Sequence, residues 1–127
     1  MIRIYGIKDK LRPIRKELSD VINSCMVEAL EFPADKRAHR FIPLDPEDFY
    51  YPDGRSDAYT VIEINMMEGR SVEARKRLIH LLFERIEAQL GIGPVDVEIT
   101  LNESPACNWG FRGKTGDEVV LNYKIEV

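Results

Sequence analysis

The chain has 127 residues, a formal net charge of -4 and a pI near 5.3, with 44% hydrophobic and 31% charged residues. A chain of this size can bury a self-sufficient core, and its balance of apolar and charged residues excludes both a disordered polymer and a membrane-embedded one. The acidic balance argues against a nucleic-acid partner. The two cysteines, Cys25 and Cys107, are too few for a disulfide framework and lack C-x-x-C spacing, so they read as structural thiols. The opening MIRIYGIKDK is no signal peptide, and no apolar run approaches the roughly 18 residues of a membrane span, so a cytoplasmic protein without a membrane partner is expected.

Residues 1–7 alternate, with Ile2 and Ile4 on one face and Arg3 and Tyr5 on the other, which predicts a short half-buried strand. Pro13 suits a first helical turn, where its missing N–H costs nothing. Ile14, Leu18, Val21, Ile22, Cys25, Ala29 and Leu30 follow at helical spacing until Pro33 closes the helix. Residues 39–44 (HRFIPL) predict a second strand, held to a sheet edge by Pro43. A turn-forming linker, DPEDFYYPDGRSD, fills residues 45–57. Residues 58–66 then predict a third strand, with Ile62, Ile64 and Met66 on one face. Ser71 is a suitable cap for a helix beginning at Val72, and Glu73 complements its positive end. Leu78, Ile79, Leu82, Phe83, Ile86 and Leu90 form the apolar stripe of that helix, and Gly91-Ile92-Gly93-Pro94 ends it. Residues 95–101 (VDVEITL) alternate as a fourth strand.

The second half repeats the first. A shift of 60 residues places Ile4 on Ile64, Arg15 on Arg75, Lys16 on Lys76, Leu18 on Leu78 and Leu30 on Leu90. Each half is a β-α-β unit, whose two strands run parallel through a right-handed crossover. The expected fold is therefore α+β: duplicated β-α-β units forming a four-stranded mixed sheet with two helices on one face. The expected organisation is a single domain with repeat one at 1–44, linker 45–57, repeat two at 58–101 and a tail at 102–127. Within the tail, Leu121, Tyr123, Ile125 and Val127 alternate with Asn122, Lys124 and Glu126, which predicts a C-terminal strand over 119–127. Such a strand pairs with a sheet edge, its own or a neighbour's, so an oligomer is expected.

No metal-ligand spacing surrounds His39 or His80, and no phosphate-binding or nucleophile motif is present, so neither metal nor cofactor is expected. His80 lies off its helix stripe and reads as solvated; His39 opens the second strand beside Arg40. Arginines next to loops and aromatics stand out. Arg70, in Gly69-Arg70-Ser71, puts a guanidinium at the positive start of the second helix, where an anion such as a carboxylate is favoured, although a solvated arginine reads equally well. Arg55 either binds an anion or pins its loop through Asp53 or Asp57. Trp109 and Phe111, with Arg112 next, either wall a pocket or anchor the tail.

The duplicated β-α-β plan, Gly69-Arg70-Ser71 opening the second helix, Arg55-Ser56-Asp57 before the third strand and Asn108-Trp109-x-Phe111 near the end together resemble the tautomerase superfamily, in particular its longer malonate semialdehyde decarboxylase-like members. The resemblance spans nearly the whole chain. It implies a homotrimer of β-α-β-duplicated subunits whose C-terminal segments touch neighbours. It also implies cofactor-independent chemistry on small 2-oxo or unsaturated carboxylates, with an N-terminal proline as general base and arginines holding the carboxylate. This sequence departs from that pattern. Ile2 stands where the proline is expected, leaving the Met1 amine as the terminal base; Lys36 stands in place of an aspartate used in decarboxylation; and Glu68 replaces one of two arginines, so that Arg70 carries over alone.

The catalytic reading is at most weak keto–enol tautomerisation of a small 2-oxo carboxylate, with Met1 and Arg70 as catalytic residues and Arg40, Arg55, Trp109, Phe111 and Arg112 as binding residues. The alternative is a non-catalytic trimeric scaffold that binds a small anion or a protein partner, since fold does not fix function. An unrelated regulatory α+β domain of ferredoxin-like topology is a third reading.

Overall fold

In a computed structural model, which describes residues 1–119 and 121–127, the two halves share one sheet. Strand β1 spans Ile2–Ile7, β2 His39–Leu44, β3 Thr60–Met67 and β4 Val97–Ser104, in the order β2-β1-β3-β4. Each half contributes a parallel pair, β1 with β2 and β3 with β4, and the two halves meet antiparallel between β1 and β3. The strand carrying Pro43 is an edge strand, as a residue without an N–H requires.

Helix α1, Arg15–Leu30, crosses from β1 to β2 and helix α2, Val72–Leu90, from β3 to β4. The chain turns helical earlier than Pro13 alone indicates: Lys8–Leu11 form one α-turn and Arg12–Ile14 a 3-10 turn that leads into α1. Glu31, at φ 54°, and then Pro33 end α1. The Ser71 hydroxyl caps α2 by accepting the Ala74 N–H at 3.1 Å, and Gly91, at φ 70°, closes it.

Alternation along the strands sends Ile2, Ile4, Ile62 and Ile64 to the helix side, where they meet Leu18, Ile22, Leu78, Leu82 and Ile86. The positions matched by the 60-residue shift are structurally equivalent in this core: Ile4 and Ile64 face the helices, and Leu18 and Leu78 are both fully buried. The other sheet face carries Arg3, Tyr5 and Glu63, with the Tyr5 hydroxyl donating to Glu63 at 2.5 Å.

Strand bounds shift slightly from expectation. Residues 94–96 form a 3-10 turn and β4 runs on to Ser104, while β3 starts at Thr60 and continues to Met67. After β4, a small hairpin pairs β5 (Gly110–Phe111) with β6 (Lys114–Thr115).

The expected C-terminal strand over 119–127 is corrected. Residues 121–127 run as bends with no ladder partner, and position 120 lies outside the described residues. The period-2 pattern is nevertheless real. Leu121, Tyr123, Ile125 and Val127 are half-buried and the residues between them exposed, because the apolar side chains pack on the chain's own surface. The Tyr123 ring meets Phe32 edge-on at 5.0 Å, Val127 packs against the core, and Ser71 donates to the Val127 backbone oxygen at 3.0 Å. Alternation records which side chains are buried; a strand also needs a neighbour's N–H and C=O groups. No helix is long and apolar enough to cross a membrane among the described residues.

Candidate active site

The site forms where β1 begins and β3 ends. Because these strands are antiparallel, Met1 continues the ladder one residue beyond Ile2. Its amine donates to the Asn65 carbonyl at 3.1 Å, and its own carbonyl accepts the Asn65 N–H at 2.9 Å. The amine is therefore held by backbone on a rigid strand end. Burial, then the guanidinium groups of Arg40, Arg3 and Arg70, lowers its pKa from the ordinary 8.0. Both causes disfavour the charged form, so a larger fraction is free base at neutrality.

Three strand contexts supply those cations. Arg3 follows Met1 on β1, and Arg40 lies beside it in register on β2. Arg70 sits in the turn between β3 and α2. Only 6% of it is exposed, and its guanidinium donates to the Met67 carbonyl at 3.2 Å. Burial lowers its pKa, but from so high a value that it stays charged. Gly69 at φ 139° makes this turn possible, and the Ile125 side chain lies so close that a Cβ there would come within 2.8 Å of it.

Four buried side-chain nitrogens make no hydrogen bond among the described residues: Arg3 Nε, which lies 3.8 Å from a Glu63 carboxylate oxygen, Asn65 Nδ2, Arg70 Nε and Trp109 Nε1. All four are donors. Three belong to residues around the Met1 amine, and the fourth to the segment that follows β4 off this same end of the sheet, where Ser104 pairs with Met67. Buried donors are almost always satisfied, so unsatisfied ones at one end of the sheet fit an acceptor-rich, anionic guest.

A small cavity of about 30 Å³ opens beside Met1, lined by Asn23, Met26, Phe32, Lys36 and His39 among others. That is room for one water molecule or one oxygen atom of a guest. The Lys36 ammonium lies over the Tyr123 ring, 5.1 Å from its centroid. His39 Nδ1 is 2.8 Å from the Ser19 hydroxyl, and burial, with Arg37 and the terminal amine, pushes its pKa down to about 4.

The expected site residues thus divide. Met1, Arg40 and Arg70 come together. Trp109, Phe111 and Arg112 lie in the hairpin off the same end of the sheet, with the Arg112 guanidinium 5.1 Å from the Phe111 centroid. Arg55 is at the opposite end, before β3, where it donates to the Asp53 carbonyl at 3.3 Å and Ser56 bonds Asp96. Within one chain the structure gives Arg55 its loop role and keeps it from the amine. Glu68 is exposed, with its backbone N–H bonded to Ser104. A larger cleft of about 770 Å³, lined by Ile7, Lys10, Phe49, Tyr50 and Asp57, also opens at the far end.

Sequence reading missed Arg3 and Asn65 as site residues, and singled out His39 only for its place beside Arg40. The available signal was topological: parallel pairing of β1 with β2 puts the first residue of β2 beside the start of the chain.

Residues 36–112 match the family model described as "Tautomerase enzyme". The chain belongs to the tautomerase family. A probable tautomerase of Ralstonia nicotianae is 36% identical over 53 residues, covering 42% of this chain and 76% of that protein. The probable tautomerase YrdN of Bacillus subtilis is 26% identical over 117 residues, covering 87% and 89%. Among solved structures, malonate semialdehyde decarboxylase superposes with a TM-score of 0.81 at 26% identity, over 90% of this chain and 92% of that one. A fused 4-OT solved as an asymmetric trimer has a TM-score of 0.80 at 20% identity, over 91% and 95%, and shares the fold. The tautomerase match takes in Lys36, His39, Arg40, Arg70 and Trp109; Met1 lies before it.

Proposed function

We propose that the protein is a cofactor-independent tautomerase that interconverts the enol and keto forms of a small 2-oxo carboxylate, working at best weakly. Arg70 holds the carboxylate through its guanidinium, and Arg40 adds positive potential. The Met1 amine is the acid–base group. In ketonisation the ammonium delivers its proton to C3 as the enol oxygen loses its own to solvent, and the reverse reaction begins with the free amine taking the C3 proton. Trp109 and Phe111 form the apolar wall. The working unit is a homotrimer, in line with the trimer of the fused 4-OT neighbour.

The observation that carries this reading is a terminal amine held at a strand end, with its pKa lowered by burial and by arginines, beside a buried guanidinium whose Nε makes no hydrogen bond. A base works best when its pKa approaches the working pH, which is the direction of this shift.

A second reading, an anion-binding trimer without turnover, draws on the tightness of the site: the cavity beside Met1 is only about 30 Å³, and Tyr123 and Ile125 lie against Phe32 and Gly69. Ketonisation of phenylenolpyruvate separates the two. Arg70→Ala is expected to lower kcat/KM by about 100-fold, a loss of roughly 2.7 kcal/mol, as for a charged hydrogen bond to the substrate. Absence of turnover in the native protein, with retained binding of phenylpyruvate, selects the second reading.

A further inference from the structure

We infer that His39 is a further catalytic residue of this site, a neutral imidazole whose Nε2–H donates to the substrate's 2-oxo or enolate oxygen. The inference rests on the Met1-amine reading and adds the one function that reading leaves unassigned, stabilisation of the charge that develops on oxygen.

His39 opens β2 on the helix side of the sheet, and its Nδ1 lies 2.8 Å from Ser19 Oγ on α1. Arg37 donates to that same oxygen at 3.4 Å and is itself anchored on Asp20 at 2.6 Å. A hydroxyl that accepts from a guanidinium has its own proton to give, and Nδ1 is placed to take it. An Nδ1 that accepts leaves the ring proton on Nε2 in the neutral form. The charged groups around the ring are Arg37, the Met1 amine and Lys36, which lines the same cavity; none is an acid that would favour an imidazolium. Burial acts in the same direction, and the pKa of about 4 leaves the ring neutral at all ordinary pH.

Among the described residues Nε2 bonds to no protein group, and it is not one of the buried nitrogens left without a hydrogen bond. The ring borders the cavity beside Met1, whose volume of about 30 Å³ admits one oxygen atom. A guest with its carboxylate on Arg70 and its C3 at the Met1 amine has one further polar atom, the 2-oxygen, and a neutral N–H is the suitable donor for it. It stabilises the enolate without giving up its proton, which would require forming an imidazolate. The protons balance as before: the C3 proton moves to or from the Met1 amine, the enol proton exchanges with solvent, and His39 keeps its own. Preorganised donors of this kind are typically worth about 100- to 1000-fold in kcat.

The test has two arms, one independent of turnover. In the first, 15N-labelled native protein is followed by histidine nitrogen shifts from about pH 5 to 8, then titrated with oxalate, a mimic of the pyruvate enolate. The expected result is a neutral Nε2–H tautomer throughout and a shift of the Nε2 resonance on adding oxalate. An Nδ1–H tautomer, an imidazolium at neutral pH, or an Nε2 resonance unmoved by excess oxalate overturns the inference, even if the protein turns nothing over and the tautomerase reading fails. In the second, His39→Leu is expected to lower kcat for phenylenolpyruvate at least tenfold with little change in KM, and His39→Gln, which keeps an N–H donor, to recover part of it. Equal kcat in native and His39→Leu proteins overturns it; a poorly folded His39→Leu leaves the Gln variant and the spectroscopic arm to decide.

Discussion

At the Met1 amine, position matters more than residue type. A strand end fixes Met1 by two backbone hydrogen bonds to Asn65, one given by its amine and one accepted by its carbonyl, and arginines from β1, β2 and the β3–α2 turn surround the nitrogen. Arg70 was legible because glycine, arginine and a capping serine in sequence announce a helix start that favours anions. Arg40 was legible only as a candidate, and Arg3 read simply as the polar side of an alternating strand; their convergence needs the parallel register of β1 with β2, which alternation does not encode. After burial, Arg40 is the strongest influence on the amine. Replacing it by glutamine removes one charge that disfavours the ammonium, so the pKa rises back toward 8.0. Ketonisation needs the ammonium, so the expected outcome for Arg40→Gln is a descending limb of kcat/KM against pH that moves to higher pH, measured on phenylenolpyruvate. An unmoved limb would mean that another group controls the proton.

Elements were the most legible scale. The Ser71 cap, the α2 stripe, the Gly91 stop and the edge position of the Pro43 strand are each specified by local chemistry, and each stands where that chemistry puts it. The tail was the exception. Its alternation was read correctly as a burial pattern and incorrectly as a strand, because pairing depends on a free edge elsewhere in the molecule or in a neighbour. Ser71 joins the two cases: its hydroxyl accepts from Ala74 and donates to Val127. Ser71→Ala therefore loses a helix cap and a tail contact together. It is expected to lower unfolding stability by about 1–2 kcal/mol, the upper part of the range for caps, with an unchanged denaturant slope in urea titration. A change under about 0.3 kcal/mol would show the cap to be replaced by water.

For the molecule as a whole, duplication explains why so small a chain builds a site at one end of its sheet. Two β-α-β units joined antiparallel put the start of one half beside the end of the third strand, so the terminal amine of the first repeat meets the Arg70 turn of the second. The central claim is that the Met1 amine is the acid–base group of a homotrimer. It is tested most directly by adding a Gly-Ser pair before Met1, which moves the amine out of the site and leaves every side chain in place, and by assaying phenylenolpyruvate ketonisation across a sizing column with light scattering. The account predicts that both proteins elute at three times the 14.7 kDa chain mass, with activity under the native peak and at most a few per cent of it under the extended one. Equal activity in the two peaks would contradict it.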